Sequence, residues 1–333
     1  MHEQLADALD NLVLATMVRA DTGSGSALSR DVRAGRLVRI ARGLYLPRDA
    51  VTALDPWDVA ELRARAVGLH GRTRRPLARA SAARVWGIPI VGRGDDVVDV
   101  LGWSARATRT DGGLRYWATS RPEYHLDQRH GITLTSLPRT LAELCARGPL
   151  DHAVAAIDWG LRVWWSPGEP RTTADEIRAV AAELGSARLI RRVDRALALA
   201  DGRSESPGES VSRVLLGRLG FAVPDLQVEF TTRSGRRVRC DFGWNDGAVL
   251  GEFDGESKYR SRAMRGDRTA EDAVVEEKER EDDVRADGRS MARWGWKHVR
   301  RPAELVRRLE SAGVPRALGS VSSDGPVPQF RNG

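Results

Sequence analysis

Lysine is nearly missing from this chain of 333 residues, which has three (Lys258, Lys278 and Lys297) against fifty arginines. That ratio is the mark of a GC-rich codon bias, expected of a bacterial genome, and by itself it carries no functional weight. Cysteine is as scarce. Cys145 and Cys240 lie far apart and make no CxxC pair, which excludes a disulfide framework and a zinc–thiolate site and fits reduced thiols in a cytoplasmic protein. No apolar run approaches the roughly eighteen residues that a membrane-spanning helix needs. The N-terminus, MHEQLADALDNL, is acidic and amphipathic rather than a basic segment before an apolar one, so neither a secretory signal nor a membrane partner is expected. The histidines at 2, 70, 125, 130, 152 and 298 have no metal-ligand spacing. GxSxG, Walker A and GxGxxG signatures are absent too, leaving no anchor for a serine hydrolase, a P-loop or a dinucleotide fold.

What is present is charge, unevenly spread. The length predicts two or three domains, and a hydrophobic content of 41% is enough to build ordinary cores. A formal charge of +7 suggests a polyanionic partner. Residues 29–48 carry six arginines against one acid, Asp31, whereas residues 205–289 hold nineteen acids against fifteen bases. The positive charge therefore gathers near the N-terminus and the carboxylates gather in the last third.

Leu5, Leu9, Leu12, Val13 and Val18 recur at helical spacing, predicting a first helix over residues 3–20. Past the breaker Asp21–Gly25, Ser26 or Ser29 is placed to cap a short helix ending at Gly35. Leu37, Val38, Ile40, Leu44, Tyr45 and Leu46 then flank Ala41-Arg42-Gly43 as a hairpin. Helix, short helix and hairpin make a winged helix-turn-helix arrangement. Arg30, Arg33, Arg36, Arg39 and Arg42 run through its second helix and wing, the elements that such folds press against DNA. The arginine fork bonds phosphates or guanine edges bidentately. The plainer reading of the same ladder is a solvated basic face.

Helices are expected near 57–70 and 78–87, strands at 96–103 and 113–119, and helices over 137–165. This middle part shows no chemistry, and its tryptophans read as packing. Residues 201–209 read as a linker. Beyond them the order is αβββαβα: a helix from Pro207, strands at 225–231, 236–242 and 248–253, a charged helix near 269–286, a strand at 292–299 and a helix from Pro302. Residues 313–333 read as a disordered tail.

In this last region Asn245-Asp-Gly247 signals a hairpin. It places Asp241 nearly opposite Glu252, which sits in the stretch GEFDGESKY with Asp254 and Lys258. Two adjacent carboxylates repel each other unless a cation lies between them. A hard divalent ion takes oxygen ligands, and magnesium is held by one or two carboxylates with water and phosphate. Such an ion activates water and steadies a phosphodiester under attack, while a nearby lysine orients the water. Competing readings stay open. Ser206-Pro-Gly-Glu209 fits a capping box as well as a metal ligand, Asp254-Gly255 fits a turn, and Lys278 within EEKERED fits a solvated helix face.

Residues 205–310 resemble the PD-(D/E)XK nuclease superfamily and, within it, very-short-patch-repair-endonuclease-like domains. The resemblance rests on Glu209, Gln227, Arg239-Cys-Asp241-Phe, Gly251-Glu252-Phe-Asp254-Gly255, Lys258-Tyr259, Glu277–Asp282 and Trp294-Gly-Trp296. It implies a restriction-endonuclease-like αβββαβ domain cutting double-stranded DNA with Mg2+ or Mn2+. Asp241, Glu252 and the Phe253 carbonyl would be metal ligands, and Glu209, Asp254 and Lys258 would complete the site. Asp254 stands where the superfamily has its lysine, so Lys258 or Lys278 would have to act from a displaced position. Residues 5–145 look like AbiEi-type antitoxins, on Ala27–Tyr45, Ala80–Gly87 and Ile132–Leu141. That likeness implies a DNA-binding regulator with a cognate toxin or operon partner.

The reading is thus an α+β multidomain protein: a winged helix over 1–50, a mixed α/β middle region over 51–200, the nuclease-like domain over 201–312 and the tail. A homodimer is an open expectation. The favoured function is a metal-dependent DNA endonuclease in defence, repair or mobile-element control. The alternative is a non-enzymatic, antitoxin-like regulator with a degenerate nuclease fold.

Overall fold

The computed structural model describes residues 3–14, 26–71, 74–92, 96–102, 107–121, 123–163, 171–255, 279–280 and 282–317. The chain is mixed α+β and divides into two compact units, Met1–Ala198 and Leu199–Gly333. Among the described residues no helix is long and apolar enough to cross a membrane.

The first unit opens with α1 (Glu3–Asp10), β1 (Val13–Leu14), α2 (Ser26–Arg33), and the hairpin β2 (Leu37–Ala41) and β3 (Leu44–Pro47). The first helix is shorter than its periodicity predicts. The chain turns at Asn11, and Val13 pairs with Tyr45, so β1 joins β3 and β2 in a three-stranded sheet. Gly43 sits at φ +82°, which lets a two-residue turn join Ala41 to Leu44. Next come α3 (Arg48–Thr52), α4 (Pro56–His70) and α5 (Arg79–Trp86), the last closed by Gly87 in the left-handed region.

Strands β4 (Val98–Leu101), β5 (Arg109–Asp111) and β6 (Leu114–Trp117) form a second sheet, and β7 (Leu126–Arg129) pairs with β8 (Ile132–Thr135). The unit ends in four helices, α6 (Leu137–Cys145), α7 (Leu150–Leu161), α8 (Ala174–Glu183) and α9 (Ala187–Leu197). One hydrophobic cluster takes Leu5 from α1, Ile40 and Leu46 from the hairpin, Leu62 from α4, and Val100 and Leu134 from later strands. The segments 1–50 and 51–200 therefore share a core.

The second unit packs α10 (Pro207–Arg218), β9 (Asp225–Thr231), β10 (Arg237–Trp244), β11 (Val249–Phe253), a helical segment at 279–280 and 282–286, β12 (Ser290–Trp294), α11 (Trp296–Val299) and α12 (Pro302–Ser311). Its sheet runs β12-β11-β10-β9, antiparallel except where β11 and β12 run parallel. Three expectations need correction. Residues 296–299 form a helix rather than the end of a strand, because the His298 ring takes the Gly295 N–H and the chain curls there. The segment read as a linker holds Ser204, which is fully buried. The tail is built in through residue 317, with Val314 buried and the Ala222 N–H donating to the Pro315 carbonyl.

Candidate functional site

Strand alternation decides where the carboxylates of the second unit go. Consecutive side chains on a strand leave by opposite faces. Phe253 packs under α10 so tightly that a Cβ on Gly208 would lie 1.9 Å from its ring. Trp294 lies on that face too, its indole N–H donating to the Ser212 hydroxyl at 2.8 Å. Glu252, one residue before Phe253, leaves by the other face beside Leu250, which clusters with Val238, Cys240 and Val284.

There Glu252 meets arginines rather than a second acid. Arg280 donates to both of its oxygens at 2.7 and 2.8 Å, and Arg293, its parallel partner on β12, reaches it at 2.8 Å. With 7% of its surface exposed, a lone carboxylate would be costly, and the two guanidinium groups offset that cost. Burial, with the Glu252 charge nearby, pushes the adjacent Cys240 thiol up to about 12.

Asp241 takes another direction. Phe242 pairs with Gly251, so Asp241 and Glu252 flank that pair, but the Asp241 carboxylate accepts the Phe253 N–H at 2.8 Å. Its charge acts on Glu209, in the first turn of α10. Glu209 is 4% exposed and accepts from the Glu205 N–H at 2.8 Å and the Gln227 amide at 2.7 Å. Burial first, then the Asp241 charge, push its carboxyl up to about 7. Gln227 holds that bond from a backbone φ of +55° within β9, a conformation costing on the order of 1 kcal/mol or more for a side-chain-bearing residue. Half of the expected capping box exists: Ser206 Oγ accepts the Glu209 N–H at 3.2 Å, while the Glu209 carboxylate turns to Glu205 and Gln227.

The acids drawn together are therefore Glu209 and Asp241 rather than the expected Asp241–Glu252 pair, because the ladder of β10 lapses at Asp241, between Cys240 on the Glu252 face and Phe242 against Trp294, and the Asp241 charge falls on the α10 side. Asp254 leaves the sheet with its N–H donating to the Trp294 carbonyl at 2.7 Å. Lys258 and Lys278 lie outside the described residues. Among the described residues no three His, Cys, Asp or Glu side chains gather to hold a metal. A divalent cation fits Glu209 and Asp241 in charge, because burial and the Asp241 charge both disfavour a bare Glu209 carboxylate. It does not fit Glu252, whose charge two arginines already offset. Sequence spacing carried no signal for Arg280 and Arg293, which reach Glu252 from 28 and 41 residues away.

In the first unit all five ladder arginines, Arg30, Arg33, Arg36, Arg39 and Arg42, are exposed. Arg36 is tied to Asp31, and Arg39 donates to the Ala41 carbonyl at 3.3 Å. Arg30, Arg33 and Arg42 have no ion-pair partner among the described residues. Arg30 and Arg33 stand on α2 and Arg42 on the β2–β3 turn, so unpaired positive charge marks both the helix and the hairpin tip.

No protein-family model matches the chain. Over 227 residues it is 27% identical to an uncharacterized protein of Mycobacterium tuberculosis, found in strains CDC 1551 and H37Rv. The match covers 68% of this chain and 77% of the relative.

Proposed function

We propose that the protein is a DNA-binding, metal-dependent endonuclease. The first unit grips duplex DNA through a winged helix, and the second, with a restriction-endonuclease-like fold, hydrolyses phosphodiester bonds. The single observation that carries the reading is the buried Glu209 carboxyl, held up near neutral pH beside Asp241. Such a pair is unfavourable in the charged state unless a cation sits with it. Glu209 and Asp241 would hold Mg2+ or Mn2+, and when bound the ion would supply an activated water and charge relief on the scissile phosphate. Gln227 orients Glu209, and the Phe253 N–H orients Asp241. Exposed Arg30, Arg33 and Arg42 supply phosphate contacts.

The test separates binding from hydrolysis. Asp241→Ala is expected to lose divalent-dependent cleavage by at least about a hundredfold while keeping duplex affinity, since it removes one ligand and no DNA contact. Wild-type cleavage by that variant would refute the reading.

A second reading, an antitoxin-like regulator with a degenerate nuclease fold, is favoured by the Arg280–Glu252–Arg293 cluster and by Asp254 at the superfamily's lysine position. It predicts tight, salt-sensitive binding at one operator with no turnover in any divalent metal. A cognate toxin and a homodimer belong to that reading.

A further inference from the structure

The turn between α6 and α7 holds a cluster of positive charge outside the elements already discussed. A pocket there, of about 480 Å3, is lined by Ala146, Arg147, Gly148, Arg188 and Arg192, with no acid among them. Arg188 and Arg192 stand one turn apart on α9, a spacing at which like charges repel on an isolated helix. Arg192 is fixed, its Nε donating to the Cys145 carbonyl at 2.5 Å and a terminal nitrogen to the Gly148 carbonyl at 2.6 Å. Arg147 is placed by Trp117, with its guanidinium 5.2 Å from the ring centroid.

The acids of the two helices that carry the pocket's arginines and its carbonyls, α6 and α9, are committed elsewhere. Glu143 takes the Arg139 side chain at 2.9 Å and the Arg79 N–H at 3.2 Å. Asp194, the acid of α9, takes Arg178 at 2.7 Å, and Glu183 takes His125 at 2.8 Å. Arg192 alone would be explained as a cap on the last carbonyls of α6. That role does not explain two further guanidinium groups around the same concavity, brought together against their mutual repulsion.

We propose that this pocket binds a phosphate-bearing anion. The guanidinium fork matches phosphate oxygens bidentately, and Arg147 and Arg188 can offer that fork beside the fixed positive charge of Arg192, whose own fork is committed to two carbonyls. The phosphate has two sources, the backbone of bound DNA or a free phosphorylated small molecule. The proposal concerns the first unit and does not rest on the nuclease reading.

The test uses the full chain and the variant Arg147→Ala/Arg188→Ala. Both positions are exposed, so the fold survives, as a thermal melt would verify. Calorimetric titration with pyrophosphate is expected to give binding that weakens at least about tenfold in the double variant. Affinity for a short duplex, measured across salt concentrations, separates the sources. A salt slope about two units shallower in the variant assigns the pocket to DNA phosphates, whereas an unchanged slope with lost pyrophosphate binding assigns it to a free ligand. If neither pyrophosphate nor duplex binding changes, the proposal fails. Cleavage does not enter either readout, so this failure is distinct from failure of the nuclease reading.

Discussion

At the scale of single residues, Glu209 is the most informative side chain. Its folded carboxyl titrates near 7 against an ordinary value of 4.5. The folded state therefore binds this proton more tightly than the unfolded chain does. Stability from the protonated form is complete below about pH 4.5 and is lost as pH rises through 7. Glu209→Gln should remove that loss, raising the urea-unfolding free energy at pH 8 by on the order of 3 kcal/mol and leaving it nearly unchanged at pH 4.5. Equal effects at both pH values would show that Glu209 is not held protonated. The capping half of this residue's role was legible in Ser206-Pro-Gly-Glu209. Its raised pKa was not, because that comes first from burial and then from the charge of Asp241, which folding brings up on β10.

At the scale of elements, the close contact between α10 and β11 holds the acidic site together. Gly208 gives α10 room to approach Phe253, and Gly251 does the same beneath Trp294, where a Cβ would lie 2.8 Å from the ring. Gly208→Val should push the helix off the sheet and cost about 2 kcal/mol or more in chemical denaturation. An unchanged midpoint would contradict the packing described. The order of these elements was readable because Pro207, the Asn245-Asp-Gly247 turn and the alternating strands are local signals. The destination of Glu252 was less so. Alternation around the apolar Phe253 already implied that its neighbour leaves by the other face, but Arg280 and Arg293 come from segments with no local tie to it. The β7–β8 hairpin lay hidden because His130-Gly131 turns the chain with both residues at positive φ, where Asn-Gly or Asp-Gly would have been the stronger sign. Helix α8 is absent from the sequence expectations, although Thr173 and Glu176 form a reciprocal capping box at its start.

At the scale of the whole molecule, the exposed arginine ladder belongs to the first unit and the Glu209–Asp241 pair to the second. Arg30, Arg33 and Arg42 point positive charge to solvent from the first unit, so their triple replacement by alanine should flatten the salt dependence of duplex binding by about three units. An unchanged slope in an anisotropy titration would move the DNA contacts elsewhere. The shared core of the first unit was not legible, since it joins residues as distant as Leu5 and Leu134. The central claim is divalent-dependent hydrolysis at the Glu209–Asp241 end of the sheet. Its most direct measurement is nicking of supercoiled plasmid by the wild-type chain in Mg2+, beside EDTA and beside Asp241→Asn. The account predicts nicking in Mg2+ alone, abolished by the chelator and by the substitution. Nicking that survives in Asp241→Asn, or none in Mg2+ or Mn2+ while the duplex stays bound, would contradict it.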